Sequence, residues 1–279
     1  MSKPVTVIIP CFNQGAFLME ALDSLSHCNQ DLFDLIIVND GSTDEKTIAI
    51  IAELKDNGYR VIEQSNQGLG AARNAGIRSC KTKYFLPLDA DNKVLPDFFL
   101  KGIKVMEEKP HIAVVYGNAR LFGDAVGILS PGEPNLQRMM LGNYIDACAL
   151  IRREVFEKIG YYDQLKIMGY EDWDLWLRFL FAGYKFHYID EILFEYRVRR
   201  ESMIRSLRAD CSKQNMAEQY ILNKFPDRLD FDYPIDRMIY MLKKRPFYFL
   251  YFILLRKYFP AIFKKKVEKG KLRAHFLYD

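Results

Sequence analysis

Short apolar blocks alternate with amphipathic stretches through the first ninety residues, and the two have different periods. Val5 to Pro10 is an almost unbroken β-branched run, and Leu35 to Val38, Tyr59 to Glu63 and the stretch from Tyr84 to Asp89 are the next short blocks. Such blocks predict strands, and the most continuous of them predict burial on both faces. Between them, Ala16 to Leu25 sets Leu18, Ala21, Leu22 and Leu25 at helical spacing, Thr47 to Leu54 returns to it, and Gly68 to Ile77 begins on glycines. Helices are predicted there, with Ser42-Thr43-Asp44 as a cap for the second. Strands alternating with helices imply an α/β fold around a parallel sheet.

Beyond Ile112 the pattern shifts. His111 to Tyr116 and Ala119 to Phe122 read as two strands, and Gly123 to Asn135 is rich in Gly and Pro, as a surface loop is. Ala147 to Arg152 is apolar and precedes a short helix, Glu154 to Ile159, while Glu171 to Phe181 is a strongly amphipathic helix with Leu175, Trp176, Phe179 and Leu180 for its core face. After Glu201 the chain is helical, then basic and aromatic. Pro246 to Leu255 is an apolar, aromatic run set between Lys243-Lys244-Arg245 and Arg256-Lys257. It is too short to span a bilayer and fits the headgroup boundary, a dimer interface, or a helix docked on the domain with its cations in water.

Composition sharpens this division. With 279 residues, 49% of them hydrophobic, the chain can bury a sizeable core. Its net charge of +4 is unevenly placed, because Asp236 to Asp279 holds twelve Lys or Arg against three acids, a local +9 that leaves the rest at −5. The tail therefore suits an anionic surface. No nucleic-acid-binding motif accompanies the charge, so nucleic acid is not expected as a partner. The five cysteines, Cys11, Cys28, Cys80, Cys148 and Cys211, are odd in number and form no CxxC pair, which fits neither a disulfide framework nor a zinc site and suits a reducing cytoplasm. The N-terminal apolar run is broken by Pro10 and lacks the features of a signal peptide.

The chemistry centres on Tyr84 to Asp91, where a strand-like run ends in Asp89 and Asp91. At spacing i, i+2 on an extended backbone two carboxylates point the same way, and at the carboxyl end of a strand they can share a divalent cation with a diphosphate. Four other segments accompany them: Val7-Ile8-Ile9-Pro10-Cys11-Phe12-Asn13, Val38-Asn39-Asp40-Gly41-Ser42-Thr43-Asp44, Asn66-Gln67-Gly68-Leu69-Gly70-Ala71-Ala72-Arg73-Asn74, and Gly169-Tyr170-Glu171-Asp172-Trp173-Asp174. In this order, over about Lys3 to Ser202, the set closely resembles glycosyltransferase family 2.

The resemblance implies a GT-A fold: a mostly parallel, Rossmann-like central sheet flanked by helices, followed by a helical C-terminal extension. Residues 1–202 would form the catalytic domain, with a nucleotide-binding half at about 1–92 and an acceptor half at about 93–202, and residues 203–279 the extension. The donor would be a nucleoside-diphosphate sugar, UDP first, contacted by Pro10, Phe12, Asn13, Asp40, Gly68, Arg73, Asp89, Ala90, Glu171, Trp173 and Arg199. Phe12 can stack on a base, Asp40 sits where the family accepts a uracil N–H, and Arg73 reaches the nucleotide. Asp91, with Asp89, would hold Mn2+ or Mg2+. Asp172 is implied as the general base that deprotonates an acceptor hydroxyl, with inversion at the anomeric carbon. Glu171 stands either in the sugar site or as a carboxylate stabilising its helix N-terminus, and Trp173 either shapes the sugar pocket or packs.

One segment departs from the family. In Tyr196-Arg197-Val198-Arg199-Arg200-Glu201-Ser202, Arg199 stands where many members have a His that helps organise metal and diphosphate. Arg199 or Arg197 could meet the diphosphate instead, since guanidinium groups bond phosphate in pairs. The implied activity is transfer to a hydroxyl of a glycan or lipid-linked oligosaccharide in cell-surface polysaccharide synthesis, at the cytoplasmic face of the membrane. The alternatives are transfer to a polyprenyl phosphate, whose anionic acceptor has less need of a base, and a catalytically silent GT-A-fold binding protein. Glycoside hydrolysis also uses paired carboxylates, but it has no use for a nucleotide handle.

Overall fold

The computed structural model describes residues 3–163, 169–199, 211–228, 239, 242–243 and 246–262. Arg200 to Ser202 and all of the basic residues after Ile262 lie outside the described residues. Two compact units are present, one of residues 1–135 with 145–200 and the other of residues 136–144 with 201–279.

The first unit is built on a nine-stranded sheet. Its strands are β1 (Val5–Cys11), β2 (Phe33–Asp40), β3 (Val61–Gln64), β4 (Tyr84–Pro87), β5 (Lys93–Val94), β6 (Ile112–Gly123), β7 (Gly127–Leu129), β8 (Leu150–Arg152) and β9 (Lys185–Val198). They run in the order β3-β2-β1-β4-β8-β6-β9-β5, with β7 beside β6. The first four are mutually parallel, β8 is antiparallel to β4 and β6, and β6 and β9 are parallel. All seven residues of β1 are buried, as its continuous apolar run requires of a central strand in a parallel sheet.

The helices α1 (Gly15–Ser26), α2 (Glu45–Asp56), α3 (Leu69–Arg78) and α4 (Asp97–Glu108) join or flank these strands, followed by α6 (Arg153–Ile159) and α7 (Glu171–Phe181). Asp44 caps α2, accepting from Thr47 N at 2.8 Å and Thr47 Oγ1 at 2.6 Å, as its place in the sequence predicts. Gly76 of α3 lies so close to β1 that a Cβ there would come within 2.3 Å of Ile8 Cγ2. Buried Arg152 fastens β8 to the core, donating to Ile112 O (3.1 Å), Met106 O (2.8 Å) and Tyr84 Oη (3.4 Å).

Several elements differ from the sequence expectations. The two strands expected at 111–116 and 119–122 are one, β6, and the Gly117-Asn118 pair is a register shift against β9. Gly117 is required there, since a Cβ would lie 2.5 Å from Leu193 Cδ1, and a local irregularity of this kind bends a strand without ending it. The strand expected to reach Asp89 stops at Pro87, and Asn92 N donates to Asp89 O at 2.9 Å. The two carboxylates therefore leave a turn rather than an extended strand. The expected loop 123–135 contains β7, and helix α4 and strand β9 arise in stretches outside the elements expected from the sequence.

The second unit contains α5 (Leu136–Leu141), α8 (Cys211–Lys224) and α9 (Pro246–Tyr258). The apolar, aromatic run of the tail is α9. Among the described residues no helix is long and apolar enough to cross a membrane.

Candidate active site

The loops that leave β1 and β2 are tied to each other. Asn13, with φ of 54°, accepts through Oδ1 from Thr43 N (2.8 Å) and Asp44 N (3.0 Å), while its Nδ2 donates to Thr43 Oγ1 (3.2 Å). Asn tolerates this left-handed backbone better than most residues. The amide of Asn13 thus serves the loop, and beside it Phe12 keeps 41% of its surface exposed, a flat apolar face at the end of β1. Asp40 is 3% exposed. Its Oδ1 accepts from Gln64 Nε2 (2.7 Å) and Gln67 N (2.9 Å), and its Oδ2 from Gly68 N (2.9 Å). Gly68 adopts φ of 90° to open α3, a conformation natural to glycine.

Arg73 on α3 is the hub. It is 1% exposed, and its fork donates through Nη2 to Asp89 Oδ1 at 2.7 Å and through Nη1 to Asp172 Oδ1 at 2.8 Å. One planar cation thereby joins a carboxylate from the turn after β4 to one from the first turn of α7. Among the described residues the second oxygens of Asp89 and Asp172 have no hydrogen-bond partner, and Nε of Arg73 is buried without one. Asp91 Oδ2 accepts from Arg199 Nη2 at 2.7 Å, and the Arg199 guanidinium lies 4.9 Å from the Phe17 ring centroid. Arg197 is committed elsewhere. It donates to Asp91 O (3.0 Å) and Glu20 Oε2 (2.7 Å), its amide donates to Asn92 Oδ1 (2.9 Å), and its guanidinium lies over Phe122 and Phe17. It holds the Asp89–Asn92 turn in place and leaves the Asp91 side chain to Arg199, as Asp89 is taken by Arg73.

Burial governs the protonation of this cluster. Desolvation pushes the Asp172 carboxyl up to about 7, although Arg73 pulls it down, and Glu171, Asp146 and Asp89 add to the rise. Asp91 is raised by burial and then by Asp89, against Arg199. Glu171 is 2% exposed, accepts from Gly169 N at 2.8 Å and is raised by burial, so one of its oxygens secures the chain entering α7. Trp173, also 2% exposed, packs with its ring 5.4 Å from that of Tyr170. Pro10 and Ala90 are buried, one in β1 and the other between the two carboxylates.

The sequence reading missed two groups. Asp146 accepts from Cys148 N at 2.8 Å through Oδ1, and among the described residues its other oxygen has no hydrogen-bond partner. Burial, and next the charge of Asp89, push its carboxyl up to about 6, and it interacts with Arg73 and Asp91 as well. An acid set in the otherwise apolar run Tyr144 to Ile151 is the signal that could have found it. Tyr162 is 2% exposed, its hydroxyl buried without a partner, and the Arg73 guanidinium stands 5.5 Å from its ring centroid. Asn74 holds Tyr162 at both backbone groups, donating to its O (2.7 Å) and accepting from its N (3.0 Å).

Among the described residues no group of three or more His, Cys, Asp or Glu side chains gathers as a preformed metal site. Asp89 and Asp91 nonetheless fit a hard divalent cation. Each spends one carboxylate oxygen on an arginine and leaves the other out of that ion pair, and the Asp91 carboxyl, raised by burial and next by the charge of Asp89, is one whose ionised form added positive charge would favour. Magnesium and manganese are commonly held by one or two carboxylates with water and substrate phosphate completing the shell.

The sequence matches the family described as Glycosyl transferase family 2 over residues 6–160. An uncharacterized glycosyltransferase of Methanocaldococcus jannaschii is 27% identical over 236 residues, covering 80% of this chain and 79% of the relative. One from Haemophilus influenzae is 29% identical over 194 residues, 65% of each chain. Among solved structures, Staphylococcus aureus TarS 1–349 in complex with UDP-GlcNAc superposes with a TM-score of 0.58 at 16% identity, covering 96% of this chain and 91% of TarS 1–349. The mannosyltransferase PcManGT from Pyrobaculum calidifontis, in complex with GDP-Man and Mn2+, gives 0.59 at 16% identity, covering 98% and 85%. At that identity the likeness speaks for the fold alone.

Proposed function

The chain belongs to glycosyl transferase family 2 and is a glycosyltransferase with the GT-A fold, and from that premise we propose an inverting transfer of a sugar from a UDP-sugar to a hydroxyl of a glycan or lipid-linked oligosaccharide. One observation carries the reading: the Arg73 fork joins Asp89, on the side where a diphosphate would leave, to Asp172, on the side where an acceptor would approach.

In this mechanism the base of the donor stacks on Phe12, and the loop anchored by Asp40 frames it. Arg199 meets the diphosphate, for which its guanidinium is suited. A divalent cation bound by Asp91 and Asp89 would supply neutralising charge to the departing diphosphate. The free oxygen of Asp172 takes the acceptor proton, while Arg73 fixes the carboxylate through the other oxygen. Asp146 presents its unpartnered oxygen to a hydroxyl of the donor sugar. The protein works in the cytoplasm. Transfer onto a polyprenyl phosphate is the second reading, and the cations described near Asp91, Arg197 and Arg199, are already engaged by Glu20 and Asp91, which gives it no particular support over a hydroxyl acceptor.

The melting temperature in the presence of UDP, GDP, CDP or ADP, each with manganese and with chelator, tests the donor assignment. UDP with manganese at a hundredfold excess over its Kd should add about 2.7 kcal/mol of stability, a rise of about 5 °C or more for a protein of this size. A larger response to another nucleotide would overturn the UDP assignment, and a response indifferent to chelator would overturn the metal. For Asp146→Asn, the UDP response should persist while kcat/KM for the sugar donor falls about 10- to 100-fold, the cost of a hydrogen bond to a charged group. An unchanged kcat/KM would remove Asp146 from the sugar site.

A further inference from the structure

Helix α9 turns an apolar stripe to water. Phe247, Leu250, Leu254 and Tyr258 are 88%, 55%, 46% and 60% exposed, and their spacing of i, i+3, i+7 and i+11 sets them along one side of the helix. Phe249 and Leu255, on other faces, are buried, so the helix is held by one side and leaves a second apolar side uncovered. The exposed character continues past its end with Phe259 and Ile262, 55% and 48% exposed. A contiguous uncovered apolar surface of this kind marks an interaction site.

Charge identifies what covers it. Lys243 before the helix and Lys257 near its end are exposed, and the Lys257 ammonium lies 5.4 Å from the Tyr258 ring centroid, so a cation and an aromatic ring share that end of the stripe. The surrounding sequence, Asp236 to Asp279, carries twelve Lys or Arg against three acids. A protein partner buried on Phe247 and Leu254 would have no need of so dense a positive surround, and a second copy of this chain would bring like charge against like. An anionic bilayer satisfies both features, taking the apolar stripe to the depth of the acyl boundary and pairing the lysines with its headgroups. Thirteen residues of helix extend only about 20 Å, which suits lying in the interface and not crossing it.

We propose that α9 docks the enzyme on the surface of an anionic membrane through Phe247, Leu250, Leu254 and Tyr258, with Lys243 and Lys257 at the headgroups. The proposal uses no residue of the Arg73 cluster and does not depend on which sugar is transferred.

The test is flotation of the full chain with vesicles of phosphatidylcholine containing about one-third phosphatidylglycerol, and with vesicles of phosphatidylcholine alone, compared with the double variant Phe247→Asp/Leu254→Asp. Wild-type protein should float with the anionic vesicles and at least about tenfold less with the neutral ones, and the double variant should stay at the bottom of the gradient. Because both residues are exposed, the variant should keep the wild-type melting temperature and its response to nucleotide. Absence of flotation by the wild type, or equal flotation of wild type and variant, would overturn the proposal. So would a wild-type dimer on light scattering that the variant converts to monomer without any vesicle binding, since a second copy would then be the occupant.

Discussion

Asp172→Asn is expected to lower kcat for sugar transfer by about 10²- to 10⁴-fold, the range typical of a general acid–base group, while preserving the nucleotide-dependent rise in melting temperature. The asparagine can still accept from Arg73 through its carbonyl oxygen, so the geometry of α3 and α7 should survive while the proton acceptor is lost. The wild-type pH profile provides a second readout. Burial places the Asp172 carboxyl near 7, and only its ionised form can take a proton. The kcat/KM should therefore fall on the acid side, about tenfold per pH unit well below 7, and level off above it, and Asp172→Asn should lose that limb. A profile flat from pH 6 to pH 8 would remove Asp172 from the role of base. Full activity in the asparagine variant would favour an acceptor that is already anionic, such as a polyprenyl phosphate.

Arg73→Met should affect both folding and turnover. Arg73 is 1% exposed and holds two carboxylates of different elements at 2.7 and 2.8 Å. Removing one member of a buried charge network leaves the others uncompensated, at a cost of about 3–5 kcal/mol. Asp89 and Asp172 retain side-chain exposures of 30% and 21%, so water softens the loss toward the lower figure. A fall in melting temperature of about 6–12 °C is expected, together with loss of turnover. Arg73→Lys should recover part of the stability but little of the activity, because an ammonium is a point charge that cannot span both carboxylates as a planar fork does. If the methionine variant melted with the wild type, the bridge would be energetically idle.

The elements of the first ninety residues were legible in the sequence because their signals are local. The continuous apolar run of β1, the helical spacing of Leu18, Ala21, Leu22 and Leu25, and Asp44 three residues before Thr47 each fix one element without reference to distant parts of the chain. The later elements were harder. Strand β9 has few fully buried residues, Phe186, Leu193 and Phe194 among them, so its period is faint, and α4 had a clear spacing of Phe98, Phe99, Gly102 and Met106 that the sequence reading did not assign. Individual site residues could be named from motifs, but their relations could not. Nothing in the order of residues says that Arg73 reaches both Asp89 and Asp172, that Arg197 serves the backbone of Asp91 while Arg199 takes its side chain, or that Asp146 joins the cluster from a loop without a motif. These are facts of tertiary assembly.

The bonds that Asn13 and Asp40 make have a consequence for how the enzyme divides entropy between folding and binding. Asn13 fixes Thr43 and Asp44 from one side, and Asp40 fixes Gln64, Gln67 and Gly68 from the other. The loops that leave β1 and β2 are thus ordered when the chain folds, and a donor stacked on Phe12, as proposed above, has little loop freedom left to quench. Ordering an interface loop on association is one of the main penalties against affinity, and here most of it is met before any donor arrives. On the proposed reading, the nucleotide end of a donor would be gripped by a small contact surface, leaving the free energy of the sugar end for discrimination among substrates.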